Sequence, residues 1–188
     1  MVKKVGGKAV VSADHRQIAA ADRLVLPGVG AFDHGMSELE RLGLVLLLTE
    51  KVLHARTPIL GICLGMQLFG RASEEGQLAG LGWINAQTVR FRGLQAAERG
   101  LRIPHMGWNH ITPKKTHPVL DGLSGESRFY FVHSYHMECA CPEDVLCTTD
   151  YGYEFTSAVA HGNIVGVQFH PEKSHGWGIQ LLKNFARL

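Results

Sequence analysis

The spacing of apolar positions changes character partway along the chain. Before Leu81, short continuous apolar runs alternate with stretches in which apolar residues recur every three or four positions. The runs Arg23–Leu26 and Ile59–Ile62 read as strands buried on both faces, and Ala9–Val11 as a further short strand. Asp33–Leu39 and Val45–Ala55 read as helices with one apolar face, and Gln17–Ala21 as a shorter helix. Another helical pattern opens at Met66 and runs to about Ala72. Such alternation predicts a parallel sheet clad in helices. After Leu81 the period drops to two, over Ala86–Phe91, Phe129–Val132, His136–Cys139, Val145–Thr149, Thr156–Ala160 and Ile164–Phe169. Turn signals such as Asp121-Gly122, Ser124-Gly125 and Gly162-Asn163 lie between segments. They predict antiparallel strands appended to the parallel sheet, within a single α/β domain spanning 1–188. The polar stretch Gly93–Gly100 reads as a mobile connection. Gly178–Leu188 reads as a closing helix with Leu181, Leu182 and Phe185 on its core face.

The opening of the chain departs from this scheme. Met1–Val5 reads as the end of a helix closed by Gly6-Gly7 as a C-cap. A doubly wound sheet normally opens with a strand, so the expected fold is N-terminally truncated, lacking its first strand and part of its first helix. A start assigned to an internal methionine is favoured over a true truncation. A lost inner strand would leave an unpaired sheet edge, an aggregation hazard.

Composition narrows the function classes. A chain of 188 residues, 45% hydrophobic and 19% charged, suits one soluble globular domain with a sizeable core. A net charge of +2 without a Lys/Arg stripe among aromatics gives no reason to expect nucleic acid. The longest apolar run, Leu42–Leu48, is too short to cross a bilayer, and no secretory signal opens the chain, so no membrane association and a cytoplasmic location are expected. The cysteines are Cys63, Cys139, Cys141 and Cys147. His136, Cys139 and Cys141 match no common zinc spacing and read as strand residues; neither metal nor cofactor is expected.

The chemistry concentrates at Thr57-Pro-Ile-Leu-Gly-Ile-Cys63-Leu-Gly-Met-Gln67. A strand, a tight turn flanked by Gly61 and Gly65, and a helix would lift the Cys63 thiol out of the sheet, in the geometry of a nucleophile elbow. A helix N-terminus there would favour thiolate. The alternative is a buried structural cysteine between packing glycines. A base stands at the end of Ile164–Phe169, where His170 is followed two residues on by Glu172, on the same side of an extended backbone. Nucleophile, base and orienting carboxylate would then be Cys63, His170 and Glu172. A lone histidine ending a strand is otherwise a hydrogen-bonded structural residue.

Three more stretches carry weaker signals. Pro27-Gly-Val-Gly30 follows a strand at the end where parallel sheets carry their sites; it is either a plain turn or a loop presenting backbone N–H groups. Pro104-His-Met-Gly-Trp-Asn109 has mixed character, with large apolar Met106 and Trp108 and a Gly107 that permits close approach, and reads from its residues as ordinary core packing. Ser73-Glu-Glu-Gly76 reads as a solvated loop, with Glu74 and Glu75 as alternative contacts for a substrate ammonium.

Together Gly61–Gln67 and Gln168-Phe-His-Pro-Glu-Lys-Ser174 resemble the class I, triad-type glutamine amidotransferases, over the chain from about Val10 to Leu188. Pro27–Phe32, Pro104–Asn109 and Phe131–Tyr135 bring the likeness to the glutaminase subunits of imidazole glycerol phosphate synthases. Relatives serving GMP, CTP or carbamoyl phosphate synthesis usually carry His where this chain has Met66. The resemblance implies a flavodoxin-like sheet, L-glutamine as substrate, and the Cys63–His170–Glu172 triad. It implies Gly30 and Leu64 N–H groups as the oxyanion hole, and Gln67, His133, Ser134 and Tyr135 as glutamine contacts. It places Met106, Trp108 and Lys173 at an interface with a (β/α)8-barrel cyclase subunit, in a heterodimer that consumes the ammonia for histidine biosynthesis. The alternatives are a paralogue feeding ammonia to a sugar amidotransferase of surface polysaccharide synthesis, a non-catalytic truncated binding partner, and a free cysteine hydrolase.

Overall fold

The computed structural model describes residues 6, 8–92 and 100–188. Its first part supplies α1 (His15–Ala19), β1 (Leu24–Gly28), α2 (Phe32–Arg41), α3 (Leu44–Thr49), β2 (Ile59–Cys63) and α4 (Leu64–Gln67). The remainder supplies β3 (Ala72–Ser73), β4 (Ala86–Arg90), β5 (His105–His110), β6 (Thr112–Pro113), β7 (Arg128–His133), β8 (Tyr135–Cys139), β9 (Val145–Asp150), β10 (Glu154–His161), β11 (Ile164–Val167) and α5 (His175–Phe185).

The main sheet has the order β1-β2-β11-β10-β8-β4-β3, with β9 on β10 and β6 on β9. Strands β1, β2 and β11 are parallel, and β10 turns back antiparallel. The β10–β11 hairpin closes at Gly162, whose φ of +57° suits the glycine in the predicted turn. Strand β2 is buried throughout because both faces are covered. Ile59 joins Phe32, Leu48, Val52 and Met66 on the helix-clad side. Leu60 and Ile62 join Phe129, Val167, Leu181 and Phe185 on the other, where α5 lies. Full burial of one such side chain stabilises by about 1.5–3 kcal/mol, so this strand is the best-anchored element near the candidate nucleophile.

The predicted strands and helices recur with several corrections. Ala9–Val11 forms no strand; Val10 and Val11 are 76% and 104% exposed. Strand β1 is the sheet edge among the described residues, and the Ala9–Val11 run does not pair with it. Helix α1 begins two residues before the predicted Gln17, where Asp14 caps it by accepting the Gln17 N–H at 2.9 Å. The helix read over Val45–Ala55 widens after Thr49 into a π-helical turn, Glu50–His54. The helix at Met66 does not reach Ala72. It ends after one turn because Phe69 and Gly70 donate three residues back, to Met66 and Gln67, and the Arg71 N–H then bonds the Ala86 carbonyl and leads into the sheet.

Strand β11 stops at Val167, since the Gln168 N–H turns to Ser157 and the His170 N–H to Tyr130. Strand β7 is not appended to the main sheet; it pairs with β5, unforeseen as a strand, in a separate two-stranded sheet. Helix α5 starts at His175, three residues before the prediction. The predicted helix end at Met1–Val5, Gly7 of its cap, and Gly93–Arg99 of the polar connection lie outside the described residues.

Candidate active site

Cys63 ends β2 and adopts φ +53° and ψ −110°, a conformation that disfavours any side chain. The neighbouring glycines do not share this strain; neither has a positive φ. Their role is close approach. A Cβ on Gly65 would lie 1.8 Å from the Leu26 carbonyl oxygen, and one on Gly61 would lie 2.6 Å from the Phe69 ring and 2.7 Å from the Met66 nitrogen. The elbow is therefore present, with its strain on the cysteine and its tight packing on the glycines. Since α4 is a single turn, the dipole expected behind Cys63 is small, and what the turn offers is its free N–H groups.

His170 is buried, and its Nδ1 lies 2.7 Å from Glu172 Oε1. The two residues do not share one side of a strand; Glu172 sits in a 3-10 turn, Pro171–Lys173, that folds its carboxylate back onto the ring. The ring is held from its backbone too: the His170 N–H bonds Tyr130 and its carbonyl accepts the Ser174 hydroxyl at 2.6 Å. Nε2 is buried and makes no hydrogen bond of good geometry. Cys63 nonetheless acts on the ring more strongly than any other group, and with Glu172 it raises the His170 pKa to about 9 against the opposing effect of burial. A catalytic pair without a well-formed hydrogen bond is common before substrate binds. Burial pulls the Glu172 pKa up, but its hydrogen bond to His170 and the charges of His170 and Lys173 leave it lowered overall.

The β1–β2 register sets Gly28 beside Cys63, and Gly30 follows with φ +99°. Leu64 is the first residue of α4, so its N–H has no intrahelical acceptor. The two expected oxyanion donors thus follow the paired ends of β1 and β2, Gly30 in the loop after β1 and Leu64 at the start of α4. Gln67 is buried and uses both N–H groups inward, on the Tyr135 carbonyl at 3.2 Å and Gln168 Oε1 at 2.9 Å. The His133 ring also turns inward. It bonds the Tyr135 carbonyl at 2.7 Å and His105 at 3.1 Å and packs on Phe91, Phe131 and Phe155. Burial drives its pKa well below the ordinary value, and that of His105 down to about 4. Both are neutral imidazoles at pH 7. Ser134 and Tyr135 sit half-exposed at the start of β8.

The loop Ser73–Gly76 is tethered, not merely solvated. Glu75 accepts the Phe32 N–H at the start of α2, and Glu74 accepts the Arg90 N–H. Gln168, which stands in the sequence beside the His170 motif, donates to Cys63 Sγ at 3.6 Å across 105 residues of sequence. No local signal marks that contact.

Met106 and Trp108 are not core residues; they are 60% and 44% exposed on one face of β5. Trp108 stacks on His175 with the rings 2° from parallel, and meets Tyr130 edge-on. Lys173 reaches over the Tyr130 ring at 5.4 Å. The three residues expected at an interface thus belong to one exposed aromatic and cationic face, beside the segment that holds His170.

Comparison with known proteins gives consistent results. The family model for "Glutamine amidotransferase class-I" matches residues 7–188. The chain is 52% identical, over its whole length and 91% of the relative, to imidazole glycerol phosphate synthase subunit HisH 2 of Pseudomonas aeruginosa. It is 50% identical, with the same coverage, to the subunit HisH 2 of Methanococcus maripaludis. Among solved structures it superposes on a glutamine amidotransferase with a TM-score of 0.76 at 16% identity, covering 99% of this chain and 88% of that one. The glutaminase domain of Trypanosoma brucei CTPS gives a TM-score of 0.63 at 18% identity, over 92% and 74%. Both structures show the shared fold alone.

Proposed function

The chain belongs to the class I glutamine amidotransferase family, and on that premise we propose that it is the glutaminase subunit of an imidazole glycerol phosphate synthase. The observation that carries the chemistry is Cys63 at its strained elbow, acting on a His170 ring that Glu172 holds at 2.7 Å. Cys63 thiolate attacks the side-chain amide carbon of L-glutamine. The N–H groups of Gly30 and Leu64 take the oxyanion, a type of contact whose loss costs about 10² to 10³ in rate. His170, protonated at neutral pH, gives its proton to the departing nitrogen, and ammonia leaves a glutamyl thioester. The now neutral ring takes a proton from water, hydroxide adds to the thioester, and glutamate departs as the thiolate re-forms. Gln67, Ser134 and Tyr135 contact the glutamine, with His133 supporting them from behind. Ammonia protonated in bulk water is no nucleophile, so it passes to a cyclase subunit docked on Met106, Trp108 and Lys173. The location is the cytoplasm; among the described residues no helix is long and apolar enough to cross a membrane.

A second acceptor stays open for a specific reason: the relatives from Pseudomonas aeruginosa and Methanococcus maripaludis are each numbered 2. A copy numbered second is compatible with ammonia delivery to a sugar amidotransferase. The test is glutamate release from glutamine by the chain alone and with a cyclase subunit plus its nucleotide ligand. Strong stimulation by the cyclase supports the proposal. Stimulation only by a sugar-amidating partner supports the second acceptor. Rapid turnover that no partner raises would sink both.

A further inference from the structure

A buried chain of hydrogen bonds with only one permitted direction ends on the Cys63 sulfur. Its direction is set at the Tyr135 carbonyl, which can only accept. That oxygen takes the Nδ1–H of His133 at 2.7 Å and one N–H of Gln67 at 3.2 Å. The other Gln67 N–H meets Gln168 Oε1 at 2.9 Å. Gln168 must therefore turn its NH2 group the opposite way, onto Cys63 Sγ at 3.6 Å. The flipped amide would set NH2 against NH2 and a carbonyl oxygen against sulfur.

The same logic runs outward. With Nδ1 protonated, a neutral His133 accepts at Nε2, so His105 carries its proton on Nδ1, 3.1 Å away. His105 Nε2 then accepts from Asn109 at 3.4 Å, and Asn109 also donates to the Asp150 carbonyl at 2.9 Å. Gln168 is fully buried, and Gln67, His133 and His105 are 6% exposed or less. At such depth an amide is held in one orientation by its partners, and reversing it leaves polar groups unpaired.

We propose that Gln168 is a further catalytic residue, its amide N–H stabilising the Cys63 thiolate, and that His133 and His105 are positioning residues that fix which way the amide faces. This rests on the reading of Cys63 as nucleophile. The contact matters most when the thioester is hydrolysed and the thiolate re-forms beside a His170 that is regaining its proton. A fixed neutral donor holds the anion through that moment without competing for the proton.

The test is the pH dependence of Cys63 alkylation by iodoacetamide, read by mass spectrometry on the whole chain. It is measured beside kcat and KM for glutamate release with the stimulating partner. Gln168→Leu is expected to slow alkylation at neutral pH about tenfold, the size of a hydrogen bond to a charged group, and to move the profile to higher pH. Gln168→Glu, which faces the sulfur with an oxygen, should do so more strongly. kcat should fall in proportion, with KM changing less. Gln168→Met replaces Gln168→Leu if the latter does not fold, as judged by its melting transition. His105→Phe should shift the profile the same way by less, and should add nothing on top of Gln168→Leu, a coupling that mere packing damage does not produce. Profiles of Gln168→Leu or Gln168→Met that superpose on wild type would overturn the proposal. A wild-type chain that alkylates at Cys63 but releases no glutamate with any partner would refute the glutaminase reading instead, with the sulfur contact still judged by the alkylation profiles.

Discussion

Cys63 holds a backbone conformation that suits glycine, and in the proposed function it also carries the reaction. Cys63→Ala and Cys63→Gly should both abolish glutamine hydrolysis and leave synthesis from added ammonium salt intact in the partner complex. They should differ in stability: Cys63→Gly relieves the strain and should be more stable than Cys63→Ala by about 1–3 kcal/mol, measured by denaturant unfolding. Equal stabilities would mean the φ of +53° costs nothing. The sulfur also sets the charge of its partner. His170 is raised to about 9, first by Cys63 and then by Glu172. A folded pKa above the unfolded value of about 6.5 means that the folded chain holds the proton more tightly. The resulting stability is fully present below about pH 6.5 and is lost as pH rises through about 9. In Cys63→Ala the His170 titration followed by NMR should move to lower pH, and the alkaline loss of stability with it. An unchanged midpoint would assign the shift to Glu172. At this scale the residues proposed as a triad stand out in the sequence because Gly61–Gly65 and His170–Glu172 are local motifs. The Gln168–Cys63 and His105–His133 contacts were not, since they join residues 105 and 28 positions apart.

Among the elements, β5 shows why a strand can escape a pattern reading. Its burial alternates, but the buried positions are His105 and, in part, Asn109, while Met106 and Trp108 face solvent. The polar residues point inward because they bond each other and the Asp150 carbonyl, and an apolar face turned outward is what an interface looks like before it is covered. The length of α4 was equally hidden, since its end is decided by the Arg71–Ala86 backbone bond. The elbow itself gives a sharper test of packing. Gly65→Ala would drive a Cβ into the Leu26 carbonyl, a backbone atom that moves only if β1 separates from β2. A loss of about 3 kcal/mol or more is expected, at the upper end for overpacking. A wild-type melting temperature would show that the β1–β2 pair yields easily.

For the whole molecule, the α/β class and most strand positions followed from the change of hydrophobic period. The detachment of β5 and β7 into their own sheet did not, because it depends on pairing across the Ile111–Ser127 connection and on an aromatic core shared by Phe91, Phe131 and Phe155. That small sheet carries the exposed face on one side and the His133 chain on the other. Trp108→Ala should weaken partner binding by about 2 kcal/mol or more, as a central aromatic anchor does, with little change in melting temperature because the ring is 44% exposed. Unchanged stimulation in a titration with the partner would move the interface elsewhere. The edge position of β1 has a consequence of another kind. The loop leading to Gly30 leaves a strand with one neighbour among the described residues, whereas Cys63 ends a strand flanked on both sides. Local opening follows pairing and burial, so amide deuterium uptake should be fast over Leu24–Gly30 and slow over Ile59–Cys63, and glutamine analogues should protect the first segment far more than the second. The candidate nucleophile Cys63 and the candidate oxyanion donor Gly30 then sit at opposite ends of the chain's local stability scale, and what a ligand adds is order on the loose side only.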